Sequence, residues 1–547
     1  MQVPARRYLA QYVQKAYRIS AARHGYANAC SVAEHAITGD EFGHSLKHNS
    51  IVAKAITLSR RLQRACGYYA PPPSMEDVMA QSTFGIVGLG VMGRNLALNV
   101  ADRGFEVTGF DLDASRTAAL AKAGAGKVQA AGSLPELSTL LERPRRILIM
   151  VPAGAPVDSA VSDLRPHLES GDILIDGGNS FFRDTDRRAA ELSNSGILFI
   201  GMGVSGGEEG ARHGPALMPG GPEDAYRYVE PILDSIAARV DGEPCCAYIG
   251  KGSAGHYVKM VHNGIEYAIM QLICEAYDFM KRGLGMNVAE MRDVFANWNG
   301  TEMNSYLLEI TTAVLGKADP ETGQPMVEVI LDRAGQKGTG KWTSQNAFDL
   351  GVAVPTINAA LEARIISALK DERTEASRVL SGPVMKTSAA RQESLAVLRD
   401  ALKLATLAAY VQGFSLMREA SKEYGYDLRL NEIAKIWRGG CIIRARVLDR
   451  IRSAFASNPE LVNLMTAPEF AQDVNGLLGR LRAAVSAMTE AGVPALGMCA
   501  TLGYIDSYRT ERLPQNLLQA QRDYFGAHGY ERVDRPRGSQ FHTEWLE

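Results

Sequence analysis

The chain has 547 residues, 46% of them hydrophobic, and a formal net charge of −2, values that suit a globular protein with several large cores. Near-neutral charge gives no general pull toward nucleic acid or an anionic membrane, and no apolar run is long enough to span a bilayer. The seven cysteines are scattered, with no CxxC pair and no zinc spacing, which points to a reducing compartment rather than a disulfide framework or a metal site.

Residues 1–73 carry ten Lys/Arg against three acids (Glu34, Asp40 and Glu41), and four of the ten histidines fall within the first 48 positions. Arg-rich, acid-poor amino termini occur in organelle transit peptides. The alternative is sequence upstream of a later start, since Met75 and Met79 both precede the first strand. A proline-rich break, YYAPPPSMEDVMAQ, follows. Residues 1–80 are thus expected to be an N-terminal extension, disordered or targeting, with residues 1–78 dispensable for catalysis. The expected location is cytoplasmic, or organellar if residues 1–73 are a transit peptide.

From Thr83 the pattern becomes strand, glycine turn, helix, strand. TFGIVGLG, EVTGFD, RILIMVP, DILIDGG and ILFIGMG read as parallel strands with helical segments between them, the alternation of a doubly wound, Rossmann-like α/β domain. It is expected over residues 81–253. GIVGLGVMGRNLA places Gly88, Gly90 and Gly93 as GxGxxG after the first strand and at the start of a helix. In that setting Gly88 permits the tight turn, Gly90 lets a pyrophosphate approach, and Gly93 allows close helix–strand packing. Gly88, Leu89, Gly90, Val91, Met92 and Gly93 are therefore candidate cofactor contacts, with Asp111, Leu112 and Asp113 after the second strand. Ligands bind beyond the carboxyl ends of such strands. That rule adds Val151, Pro152 and Ala153, then Asn179 for cofactor and substrate, and Ser205, Gly206 and Gly207, whose backbone N–H groups suit an anion.

After about Gly252 long amphipathic segments rich in Ala, Leu, Ile and Met predict a large all-helical domain, residues 254–512, followed by a tail, 513–547, that looks extended at its end. The first of these segments, GHYVKMVHNGIEYAIMQ, is apolar except for Lys259, His262, Asn263, Glu266 and Tyr267. Their spacing of i, i+3, i+4, i+7 and i+8 puts them within an arc of about 140° on one helix face. A buried polar stripe must be hydrogen-bonded, so it faces either a polar cavity or a structural network of its own.

GLGVMGRNLA, IDGGNS, GVSGGEEGARHGPALMPGG, GHYVKMVHNGIEY, ILDRAGQKGTGKWT and AQRDYFGAH occur in this order. Together they resemble the 6-phosphogluconate dehydrogenase family across about residues 80–547. The resemblance implies oxidation of the C3 hydroxyl of 6-phosphogluconate, loss of CO₂ and release of ribulose 5-phosphate in the pentose phosphate pathway, without a metal. It makes Lys259 the general base and Glu266 the acid that protonates C1. His262 and Asn263 orient substrate, and Tyr267, Lys337, Thr339 and Arg364 contact its phosphate. Arg522 and His528 would come from the other subunit of a homodimer, whose tail FHTEWLE would thread through its partner. The family habit is NADP, bound through Asn-Arg-Thr after the second strand. Asp111-Leu112-Asp113 stands there instead, so NAD is favoured, with Arg116 nearby as the one cation that could compensate. Ala216 for a common serine, and Ala268-Ile269 for Gly-Asp, depart from the family pattern at noncatalytic positions, and Pro152 stands where a polar residue is frequent. The rivals are a shorter β-hydroxyacid dehydrogenase, which would lack the tail motif, and a noncatalytic dinucleotide-binding protein, which would lack the Lys259–Glu266 pair.

Overall fold

The computed structural model describes residues 81–336, 338–383 and 390–546. The expectations for residues 1–80 and for Lys337 lie outside the described residues.

Seven strands form one sheet in the order β3-β2-β1-β4-β5-β6-β7: β1 (Phe84–Val87), β2 (Val107–Phe110), β3 (Val128–Ala130), β4 (Arg146–Ile149), β5 (Ile173–Asp176), β6 (Leu198–Ser205) and β7 (Ala216–Gly220). The first six are parallel. Their cores, FGIV, VTGF, RILI and ILID among them, are near-continuous buried runs, as expected where both faces are covered. One apolar layer gathers Phe84, Ile86, Leu96 and Val107, and the opposite layer gathers Val87, Ile147, Leu164 and Phe199. Strand order reverses between β1 and β4, which opens a crevice at their carboxyl ends.

Three strand elements were not expected from the sequence. β3 is only three residues long. β7 runs antiparallel to β6, from Gly201↔Gly220 to Ser205↔Ala216, because the short helix Gly207–His213 and Gly214 at φ +156° turn the chain back. A small ribbon, Arg239–Val240 with Glu243–Pro244, turns through Asp241 and Gly242, both at positive φ, the geometry of a two-residue hairpin.

The remaining described chain is mainly helical. Its centre is the 25-residue helix Ala254–Asp278, most of whose residues are buried. Its first turns lie directly on the sheet. A Cβ at Gly255 would stand 2.1 Å from the Gly201 carbonyl oxygen, and a Cβ at Gly203 would stand 2.5 Å from the Cβ of Lys259. The helix packs on its other side against the long helix Arg391–Tyr424, which ends at Gly425 in the left-handed region. The helix Gln515–Gly526 buries only Asp523. Beyond it the tail is less extended than expected, because Tyr530 and Phe541 exchange backbone hydrogen bonds of 2.8 and 2.9 Å. No helix among the described residues is long and apolar enough to cross a membrane.

Candidate active site

The crevice begins at the glycine turn. Gly88 has φ +93°, and a Cβ at Gly93 would lie 1.9 Å from the Gly88 carbonyl oxygen, whereas a Cβ at Gly90 would meet nothing within 4 Å. Backbone geometry and packing therefore account for Gly88 and Gly93. Gly90 leaves room for a group from outside, at the start of helix Val91–Asp102, which has no side-chain cap on its first N–H groups. That is the geometry a pyrophosphate needs. Val91 is exposed, Met92 half-buried and Leu89 buried. Leu89 donates its N–H to the Asp111 carboxylate at 2.7 Å.

Asp111 is fixed further by the N–H of Asp113 at 2.9 Å. Asp113 caps helix Ala114–Ala123 through the Ser115 N–H at 3.0 Å. The Ser115 hydroxyl, with its N–H, holds the Asp113 carboxyl below its ordinary value. Leu112 is 93% exposed between them. Arg116 reaches both acids, 3.6 Å from Asp111 and 3.5 Å from Asp113. Val151, Pro152 and Ala153 follow β4 across the crevice, and Asn179 stands exposed beyond β5. These residues fit a dinucleotide with its phosphates at Gly90 and its adenosine ribose at Asp111.

The polar stripe of the central helix forms a connected cluster. Lys259 is buried, with Nζ 3.4 Å from Nδ1 of His262. His262 Nδ1 also lies 3.0 Å from Asn263 Oδ1, and its Nε2 lies 3.3 Å from Ser205 Oγ. Asn263 donates to the Thr339 hydroxyl at 3.1 Å. Glu266 completes the row, one oxygen 3.9 Å from His262 Nδ1.

Burial pushes Lys259 below its ordinary value against the opposing pull of Glu266. Burial and then the Lys259 charge drive His262 far down. Burial raises Glu266 although Lys259 and Arg364 pull it back. These shifts favour a neutral imidazole and draw the lysine and the carboxyl toward their uncharged forms. An Nδ1–H facing Asn263 Oδ1 and a neutral amine would leave Nε2 to accept from the Ser205 hydroxyl.

Tyr267 and Arg364 are also brought together, the guanidinium 3.5 Å from the ring centroid, a close cation–π pair. Arg364 is held there by donating to the Gly335 carbonyl at 3.1 Å. Gly206, at φ +120°, and Gly207, at φ +63°, turn the chain out of β6. Among the described residues, Arg522 and His528 make no contact with this cluster. Arg522 donates to Gln519 at 3.1 Å and the His528 ring contacts Phe525, and both are exposed on the tail.

The sequence reading missed the turn Trp437–Cys441. Trp437 is fully buried and sets its ring edge-on to His262, with centroids 5.6 Å apart. The Gly440 carbonyl accepts from Ala216 N–H at 2.8 Å and would be 2.6 Å from a Cβ at Gly206. Cys441 donates to the Trp437 carbonyl at 3.1 Å, and burial pushes its thiol to about 12. Two adjacent glycines after a tryptophan, in WRGGC, were the available signal for a tight turn. Thr343 was missed as well. Its hydroxyl donates to the Met260 carbonyl at 2.9 Å and ties the Thr339 helix to the central helix.

Two family models match the chain. The NAD binding domain of 6-phosphogluconate dehydrogenase matches residues 83–250, and the 6-phosphogluconate dehydrogenase C-terminal domain matches residues 255–545. The chain is 53% identical over 476 residues to a decarboxylating 6-phosphogluconate dehydrogenase of Synechocystis sp., covering 86% of this chain and 99% of that protein. It is 52% identical over 470 residues to the NADP(+)-dependent, decarboxylating 6-phosphogluconate dehydrogenase of Bacillus subtilis, with coverage of 86% and 100%. A solved structure of Plasmodium falciparum 6-phosphogluconate dehydrogenase, described with NADP+ and with 6-phosphogluconate, matches with a TM-score of 0.82 at 42% identity. It covers 85% of this chain and 100% of that one.

Proposed function

This chain belongs to the 6-phosphogluconate dehydrogenase family, and from that membership we propose how its own residues divide the reaction. The protein converts 6-phosphogluconate to ribulose 5-phosphate and CO₂ with reduction of NAD(P), a step of the pentose phosphate pathway. When bound, NAD(P) supplies a nicotinamide that accepts a hydride from C3. Neutral Lys259 takes the C3 hydroxyl proton as that hydride leaves. The β-keto acid then loses CO₂, and the new ammonium of Lys259 stabilises the developing enolate oxygen. Glu266, two turns or about 10 Å along the same helix, delivers a proton to C1 of the resulting enediol, the carbon that was C2 of the substrate. Ser205, His262 and Asn263 orient the substrate between them, and Thr339, Lys337, Arg364 and Tyr267 bind its phosphate.

The observation that carries this reading is the row of buried Lys259 and His262 and half-buried Glu266 on one helix face, beside the carboxyl end of β6. An assay of the purified protein with 6-phosphogluconate and either cofactor, reading reduced cofactor and CO₂, tests it. Reduction without CO₂ would contradict it, and so would no turnover at all.

The same row predicts a compressed pH profile. Catalysis needs Lys259 without its proton and Glu266 with one, so the active pair holds a single proton. Activity falls on the acid side as the pair gains a second proton, and on the alkaline side as it loses its last. Burial lowers Lys259 and raises Glu266. The two limbs of kcat/KM therefore lie closer together than the ordinary values of about 4.3 and 10.4. Glu266→Gln should abolish the alkaline limb and leave the acid one. A profile flat across that whole range would count against the assignment.

Arg522 and His528 complete the substrate site from a second subunit on this reading. The helix Gln515–Gly526 carries exposed Leu517, Leu518, Tyr524 and Phe525, apolar surface that a second copy would cover.

Cofactor choice follows from the adenosine end of the crevice. Asp111 is placed to accept from a ribose hydroxyl, and its charge disfavours a 2′-phosphate. Arg116 already pairs with Asp111 and Asp113, so binding a phosphate would first cost it those partners. We expect kcat/KM with NAD to equal or exceed that with NADP, although the Bacillus subtilis relative is named NADP(+)-dependent and the Plasmodium falciparum structure is described with NADP+. Leu112→Arg with Asp111→Asn should move the preference toward NADP. A wild-type preference for NADP of about tenfold or more, 1.4 kcal/mol, would reject this and point to Arg116 or the chain near Pro152 as the phosphate contact.

A further inference from the structure

The tail beyond residue 513 is organised around one buried carboxylate. Asp523 is the only buried residue of its helix, and its side chain is wholly enclosed. Four donors converge on it. Oδ1 accepts from Gly529 N–H at 2.9 Å and lies 2.9 Å from His542 Nδ1. Oδ2 accepts from Thr543 N–H at 3.1 Å and from the Trp545 indole at 2.8 Å. Burial alone would raise this carboxyl, yet hydrogen bonds from His542, Trp545, Thr543 and Gly529 hold it below the usual carboxylate range. The donors come from both arms of a loop that closes on itself where Tyr530 and Phe541 pair.

Arg522 precedes Asp523, and His528 precedes Gly529. Gln519 bridges the two stretches, accepting from Arg522 at 3.1 Å and donating to the Gly529 carbonyl at 2.6 Å. Ala527, at φ +48°, reverses the chain between them. The exposed groups Arg522 and His528 are thus fastened to a common frame through residues beside them. A buried, fully satisfied polar hub rigidifies what it joins.

We infer that Asp523 is a positioning residue for substrate binding: it gathers Gly529, His542, Thr543 and Trp545 so that Arg522 and His528 are presented in one fixed arrangement. The inference rests on the reading above that Arg522 and His528 reach the substrate of a second subunit. Asp523 itself touches no substrate, because it is enclosed by its own tail.

The test compares steady-state constants of full-length Asp523→Asn, His528→Ala and the double variant, with oligomeric state measured by sedimentation at assay concentration. Asp523→Asn should raise KM for 6-phosphogluconate about ten- to a hundredfold, the scale of a small misplacement of a binding group. KM for the cofactor and kcat should change much less, with the dimer intact. The double variant should lose less than the product of the two single losses, since residues acting through one another are not additive, and what it loses beyond His528→Ala is the share of Arg522. Trp545→Phe, which removes one donor and keeps the ring, gives a milder version of the same split if Asp523→Asn fails to fold.

An unchanged KM in Asp523→Asn beside a raised KM in His528→Ala would overturn the inference alone. An unchanged KM in His528→Ala would remove the reading beneath it and the inference with it. Equal losses in both KM values with a dissociated dimer, in Asp523→Asn and in Trp545→Phe, would reduce Asp523 to a fold determinant and overturn it too.

Discussion

Lys259→Ala should lower kcat by roughly 10²–10⁴-fold, the usual loss when a positioned general base is removed, in a protein that still folds and binds cofactor. Lys259→Arg should rescue nothing, because a guanidinium keeps its proton in any protein environment. The distinction matters at a site where burial already lowers the lysine. A purely electrostatic role would survive in the arginine variant, and a proton-accepting role would not. Glu266→Gln should also be slow in steady state, but for a later step. Its base is intact, so a single-turnover experiment should show a rapid burst of reduced cofactor followed by slow release, whereas Lys259→Ala shows no burst. Near-normal turnover in either variant would remove that residue from the mechanism.

The second large effect concerns two impaired proteins that revive each other. Assayed at substrate well below the raised KM of His528→Ala, Lys259→Ala and His528→Ala subunits are each expected to be nearly inactive alone. Mixed in equal amounts and allowed to exchange, they form hybrid dimers in which one site keeps both Lys259 and the other subunit's His528. Statistical mixing makes half the dimers hybrid with one good site of two, or about a quarter of wild-type activity. The structural motive is the tail: within the chain, Arg522 and His528 bond only to their own neighbourhood among the described residues. No recovery, with exchange shown by mass or fluorescence, would reject the delivery of His528 from the second subunit.

Legibility in the sequence followed the range of the interactions involved. The polar stripe from Lys259 to Tyr267 could be read because a helix repeats within four residues, and the glycine turn because its strand and helix flank it directly. β7 could not, since its direction is set by the chain reversal at Gly214 and by pairing with β6. Trp437 and Gly440 pack on residues more than a hundred and seventy positions away, Met218, His262 and Ala216, and nothing local announces such contacts. Asp523 lies inside a recognised stretch, AQRDYFGAH, yet its neighbours Arg522 and His528 drew the attention. A carboxylate that serves only its own tail looks like any surface acid until its donors are seen.

The glycines of β6 carry a mechanical consequence. Because Gly255 sits against the Gly201 carbonyl and Lys259 leaves the helix over Gly203, the base is anchored in the seam between sheet and helices, with no spacer on either side. A nucleotide-binding half and a substrate-binding half that share such a seam are coupled through it, and the packing fixes where the lysine leaves the helix relative to the sheet. Heating should unfold the sheet and the central helix in one transition, and a methyl group added at Gly203 should damage catalysis and thermal tolerance together.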